Sequence, residues 1–255
     1  MTRLPLQVSI DRWRQAQEWE SAHWCAQHPA QNVVPVGRLK HFVMKVFGLV
    51  PQQGPPVGLG DDWNHWWSEQ FGQYEELPKA FENVVELGCG PYTNMRVILQ
   101  RRSATHVYGS DPLIRKYIKF DGQWLAEMWK AGNIFIDDHP LEDCPFANDY
   151  FDLTVLINVL DHCRDSLACL KQVVRITKPG GYVVVGQDLS DVEDVKRTGD
   201  DIGHPIRIDH HILDQELLSR CEPIRYKVLE RNAGRNPEAH YGTYIFIGRK
   251  RASLT

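Results

Sequence analysis

Two groups of residues in this sequence have the types and spacing for chemistry. The first lies in Glu82–Asn94, ENVVELGCGPYTN, where the apolar run Val84–Leu87 passes into Gly88-Cys89-Gly90. A strand ending in Gly-x-Gly lets backbone approach a ligand closely, because a side chain at either glycine would block it. Pro91-Tyr92-Thr93 follows, so the third glycine of G-x-G-x-x-G is missing. That counts against a pyrophosphate seated on a helix N-terminus. Glu86, two places before the first glycine, would repel pyrophosphate and suit a cationic amine. Further on, Val107–Pro112 places Asp111 at the tip of a second apolar run, 21 residues after Gly90. A carboxylate there can accept both hydroxyls of a ribose. Asp137-Asp138 and Asn158 end the next two runs.

The second group is polar. Asp161-His162 follows Asn158, and Gly203–His211, GHPIRIDHH, packs three histidines, an arginine and an aspartate into one loop. His204, His210, His211, His162 and Asp161 are the candidate proton-handling residues, since imidazole titrates near neutral pH. Arg207 has the forked donors for a carboxylate or phosphate. Arg235, in Arg231–Pro237, could reach the same pocket. A polar surface loop is the bland alternative. A divalent metal on Asp188, Asp161 and these histidines is a third reading; no metal site is assigned.

The elements that must position these groups alternate in character. Strands are expected at Val84–Leu87, His106–Ser110, Ile134–Asp137, Leu153–Asn158, Tyr182–Gln187, Tyr226–Glu230 and Thr243–Gly248, with helices between most of them. That is the pattern of a mostly parallel α/β sheet. Arg231–Tyr241 is too short, and too rich in Asn, Gly and Pro, for a crossover helix of about a dozen residues, so the last strand should be antiparallel. Lys178-Pro179-Gly180-Gly181 reads as a tight turn, and Asp214 as the cap of a late helix. Residues 1–80 form an expected N-terminal helical extension or lid, ahead of a main domain at 81–255. Pro51–Pro56 reads as a loop. Beyond it, Asp61-Asp62 could cap a helix whose one face carries Trp63, Trp66, Trp67, Phe71 and Tyr74. That face suits packing on the main domain or an aromatic lid over a ligand, and Trp63 and Trp67 are candidate substrate contacts. Exposed aromatics in this part would equally suit a homodimer face.

Composition narrows the class. The 255 residues are 42% hydrophobic and 24% charged, with net charge -4, so there is no global basic field for nucleic acid. Six cysteines lack any CxxC pair, which suits free thiols in a reducing, cytoplasmic setting. No signal-peptide run and no apolar window of about eighteen residues for a membrane span is seen.

In order along the chain, ELGCG, the Asp at the second strand tip, CPF…YFDL, INVLDH and KPGGYVVVG resemble the class I S-adenosylmethionine-dependent methyltransferases. The resemblance covers about 83–190 well, and Tyr92 departs from members with a third glycine. It implies a Rossmann-like seven-stranded sheet, mostly parallel with an antiparallel last strand. It also implies S-adenosylmethionine as methyl donor and S-adenosylhomocysteine as product. By that resemblance Glu86 lies near the methionine amine, and Gly88, Cys89, Gly90 and Asn94 form the cofactor loop. Asp111 holds the ribose, with Pro112 and Leu113 beside adenine. Asp138 or Asp137 meets the adenine amine, and Asn158 lines the methionine end. Stretches such as NHWWSEQFGQYEEL and HYGTYIFIGRK are similar to methyltransferases of bacterial surface-polysaccharide synthesis. The implied reaction is O-methylation of a sugar hydroxyl, including on the acidic sugar Kdo of lipopolysaccharide. Methylation of oxygen, nitrogen or carbon on a small metabolite is the alternative within the class. A non-catalytic cofactor-binding module is the alternative outside it.

Overall fold

The structure, a computed structural model, describes residues 6–27, 59–198 and 202–252. Seven strands form one sheet: β1 Ala80–Leu87, β2 Ser103–Ser110, β3 Phe135–Asp137, β4 Phe151–Ile157, β5 Thr177–Leu189, β6 Cys221–Glu230 and β7 Gly242–Lys250. Their order is β3-β2-β1-β4-β5-β7-β6. The first five pair in parallel, and β7 runs antiparallel to β5 and β6. The expected sheet, with its antiparallel last strand, is therefore present.

The helices are α1 Ile10–Gln27, α2 Leu59–Gln70, α3 Met95–Ile98, α4 Ile114–Tyr117, α5 Trp124–Lys130, α6 Ser166–Ile176, α7 Val192–Thr198 and α8 His210–Leu217. Among the described residues, none is long and apolar enough to cross a membrane. The central strands are largely apolar in their middles because both faces are covered. Val84, Val184, Ile245 and Ile247 join one buried cluster, while their neighbours Val85, Val183, Val185, Tyr244 and Phe246 join the other. This is the period-two alternation of a strand.

Several local expectations are corrected. Lys178–Gly181 does not turn the chain; it bulges within β5, where Thr177 pairs with Phe151 and the next partner of β4 is Tyr182. Gly180 absorbs the bend with φ of 76°. Helix α8 is capped by Asp209, whose carboxylate accepts from the main chain of His211 and Ile212. Asp214 sits inside that helix and accepts from Tyr226 and Tyr244. Helix α2 begins at Leu59, ahead of Asp61-Asp62, so those acids lie in its first turn rather than at its cap.

The aromatic stripe packs on the sheet. Trp67, Phe71 and Tyr74 are buried and stacked in series, with Phe71 and Tyr74 lying past the end of α2. Trp67 presses on β5: a Cβ at Gly186 would meet its Cζ3 at 2.7 Å. The side chain of Trp63 and the Pro51–Pro56 loop lie outside the described residues.

Candidate active site

At the carboxyl ends of β1, β2 and β4, where connections leave for opposite sides of the sheet, a cavity of about 380 Å³ opens. This is the expected ligand position in an open α/β sheet. Its floor is the glycine loop. Gly88 has φ of 63°, and a Cβ there would strike Val159 at 2.4 Å, so only glycine fits. Gly90 has φ of 55°, and a Cβ there would meet nothing within 4 Å, which leaves a cradle of backbone facing the cavity.

Asp111, buried on the cavity wall, accepts the Gly90 N–H at 3.1 Å and the Leu113 N–H at 2.8 Å. One hydrogen bond falls on each oxygen, so a lone pair on each is left for ribose hydroxyls. Burial, and next the charge of Glu20, raise its pKa to about 7. Cys89, Asn94, Pro112 and Asn158 also line the cavity. Asn94 Oδ1 is buried with no hydrogen-bond partner, an acceptor that an amine could satisfy. Asn158 is held at φ of 58°, with its Oδ1 accepting from the main chain of Asp188.

Four predicted cofactor contacts stand elsewhere. Glu86 is buried behind the loop, where its carboxylate accepts from Thr93 Oγ1, both nitrogens of Asn94 and the main chain of Met95. It shapes the loop and does not line the cavity. Asp137 accepts from Ser110 Oγ at 2.9 Å and pairs with His139 at 2.7 Å. Asp138 pairs with Arg115 at the surface. Leu113 is likewise off the cavity wall; His139, Pro140, Leu141 and Glu142 line that side instead.

The structure divides the histidines. His162 and His204 line the cavity with ring centroids 4.4 Å apart. Asp161 lies buried between them, 3.9 Å from His162 Nε2 and 4.0 Å from His204 Nε2. Gln187, fully buried, fixes this carboxylate with an N–H at 3.0 Å and binds the Leu160 N–H through its own oxygen. Burial works to raise the Asp161 pKa, but His162, His204 and the Gln187 hydrogen bond outweigh it and hold the group below the usual carboxylate value. Ligand atoms of Asp161, His162 and His204 all lie within 4.8 Å of one another, a spacing a divalent cation could use. Asp188 belongs to a different network, bound to Arg235 and Thr243. His210 and His211 lie ring to ring at a tilt at the start of α8, off the cavity wall, with His210 hydrogen-bonded to Tyr241. Arg207 is buried but does not line the cavity. Arg235 does: Asp188 holds it at 2.7 and 3.1 Å, and its guanidinium lies 5.8 Å over the ring of Trp67.

The largest omission from the sequence reading is α1. Trp13, Gln17, Glu20 and Trp24 all line the cavity, at i, i+4, i+7 and i+11. The periodicity applied to Trp63–Tyr74 would have found this face. The segment before α1 is anchored by Val8 N–H to Arg164 and Ser166 N–H to Leu6, and α1 itself by Arg12 to the Ile202 carbonyl and Lys116 to Ser21. Asn64 on α2 was also missed; its amide donates to the carbonyls of Tyr92 and Thr93 and pins the glycine loop.

This arrangement fits S-adenosylmethionine: a glycine cradle, a buried carboxylate with free lone pairs and an amide oxygen without a hydrogen-bond partner. The chain matches the methyltransferase domain over residues 63–229. A tRNA U34 carboxymethyltransferase of Desulfotalea psychrophila is 29% identical over 139 residues, 52% of this chain and 42% of that protein. The chain's matches to such curated relatives span less than two thirds of their length. Among solved structures, N-methyltransferase NodS from Bradyrhizobium japonicum, in complex with S-adenosyl-L-homocysteine, aligns with a TM-score of 0.55 at 15% identity. The alignment covers 76% of this chain and 89% of NodS. Burkholderia thailandensis 1,6-didemethyltoxoflavin-N1-methyltransferase aligns with a TM-score of 0.55 at 12% identity, covering 98% and 94%. At these identities the structural likenesses establish the fold. With the family match, they lead to one conclusion: the chain belongs to the methyltransferase-domain family and has its Rossmann-like fold.

Proposed function

We propose that this enzyme methylates a hydroxyl of a small polar acceptor, with His204 taking the proton. The observation that carries the reading is the buried Asp161 facing His204 and His162 on the cavity wall. An amine acceptor needs little help with its proton, whereas a hydroxyl needs a base. The donor supplies an electrophilic methyl group; the protein orients the acceptor and handles charge. Asp161 stays ionised, steadies the imidazolium that forms and selects its tautomer, as a carboxylate does in a His–Asp pair. The 4.0 Å separation is beyond hydrogen-bond length, and such contacts commonly tighten only in the reacting complex.

An acidic sugar is the acceptor class we assign, Kdo of a bacterial surface polysaccharide being one example. The aromatic rings of Trp19 and Trp24 on the cavity wall suit a sugar ring, and Arg235, rather than Arg207, suits an acid. We further propose that residues 1–80 act as a lid on a catalytic domain at 81–255, with α1 as its working part. Six free thiols suit a cytoplasmic enzyme.

The test is transfer of labelled methyl from S-adenosylmethionine to a panel of acidic sugars, neutral sugars and small amines. A hydroxyl product is expected, with His204→Asn lowering kcat by about 10²–10⁴-fold while S-adenosylhomocysteine binding is retained. Methylation of amines alone, or full turnover in His204→Asn, would refute the reading. Cofactor binding with no turnover on any acceptor would favour a non-catalytic module.

A further inference from the structure

We propose that Glu20 is the counter-charge to the donor's sulfonium, so that the site tells S-adenosylmethionine from its product. The inference rests on the cavity being the donor site. Glu20 projects from α1 into the cavity with its side chain 16% exposed. Its Oε1 accepts from Trp24 Nε1 at 3.4 Å, and its Oε2 lies 3.7 Å from His162 Nδ1. That second distance is too long for a hydrogen bond.

The position follows from the chemistry of the donor. Its sulfonium is attached to the ribose, with the transferable methyl directed at the acceptor. Asp111 marks the ribose side of the cavity, and His162 marks the acceptor side. Glu20 shares the cavity wall with Asp111 and lies 3.7 Å from His162 Nδ1. A carboxylate between those two walls would face the sulfonium of a bound donor. Glu86 cannot take this role, because all of its contacts are made to its own loop.

The pairing of these two acids is costly in a specific way. Two carboxyl groups, Glu20 and Asp111, line one partly enclosed cavity, where like charges repel more strongly than in water. A bound cation relieves that repulsion; a neutral thioether does not. Loss of the methyl group therefore removes the charge that reconciles Glu20 with Asp111, and the product is held less tightly than the donor. Trp24, next to Glu20, adds an aromatic surface of the kind that favours sulfonium and ammonium cations.

The experiment is calorimetric titration of wild type, Glu20→Gln and Glu20→Asp with three probes. These are S-adenosylmethionine, S-adenosylhomocysteine and sinefungin, which carries an ammonium group near the sulfonium position. Glu20→Gln should weaken the two cationic ligands by about tenfold and leave S-adenosylhomocysteine within about twofold. Glu20→Asp should fall between, and thermal melting should show all three proteins folded. Equal losses for all three ligands would assign Glu20 a merely structural role and overturn the proposal, as would no change for any. Failure of wild type to bind S-adenosylhomocysteine would instead reject the donor site itself.

Discussion

Glu86 and Asn94 are joined twice: the Asn94 main-chain N–H and its Nδ2 both donate to Glu86 Oε1 at 3.0 Å. The strand-end carboxylate thereby folds the glycine loop back on itself and aims Asn94 into the cavity. A glutamine at this position would keep the shape but turn an N–H group toward donors. Glu86→Gln should destabilise the protein by about 1–3 kcal/mol, read by urea denaturation. It should also weaken S-adenosylhomocysteine, although the residue does not line the cavity. Unchanged stability and unchanged affinity would show that the loop does not depend on this carboxylate.

Gly88 is constrained twice, by its positive φ and by Val159 lying 2.4 Å from where a Cβ would be. Gly88→Ala should cost about 2–4 kcal/mol and abolish cofactor binding. Gly90→Ala meets no atom and should cost about 1 kcal/mol from its φ alone. Paired melting curves separate the two, and equal losses would show that Val159 yields without penalty.

Asp111 makes the site pH-sensitive. Its folded pKa of about 7 lies above the unfolded value of 3.8. The native state therefore holds a proton that the unfolded state has lost between those limits. Its contribution to stability is full below about pH 4 and lost as pH rises to about 7. Ribose hydroxyls favour the ionised form, so binding should release a proton near pH 6.5, and affinity for S-adenosylhomocysteine should rise from pH 6 to pH 8. Titration in buffers of different ionisation enthalpy counts that proton, and uptake instead of release would contradict the assignment.

Arg235, which is partly exposed, pairs with Asp188, whose side chain is fully inaccessible. Arg235→Ala strands that carboxylate with Thr243 as its remaining hydrogen-bond donor and should cost about 3 kcal/mol. Arg235→Lys should recover part of the stability but not the two-pronged contact, and should raise KM for an acidic acceptor more than it lowers kcat. A variant as stable as wild type would mean that Asp188 finds another donor.

The sheet was legible because its strands are apolar runs ending in glycines and acids, and every expected strand has a counterpart in the structure. Boundaries were less so. β1 begins at Ala80 because Phe81 continues the buried alternation through polar Glu82, and β5 continues through its glycine bulge. The cavity lining was legible where polar residues stand at strand tips, as at Asp111 and Asn158. It was not where a side chain has a local use for its charge, as with Glu86, Asp137 and Asp138. His204 and His210 lie six residues apart in one loop, yet only the fold decides which meets Asp161. Helix α1 escaped notice because its polar and aromatic face reads as surface until the cavity it covers is seen.

The most direct measurement is isothermal titration of S-adenosylhomocysteine into wild type and Asp111→Asn at pH 7.5. Saturable one-to-one binding, weakened at least about tenfold in a variant that melts like wild type, is the predicted result. Equal affinity in both proteins, or no binding to wild type, would contradict the assignment of this cavity to the methyl donor.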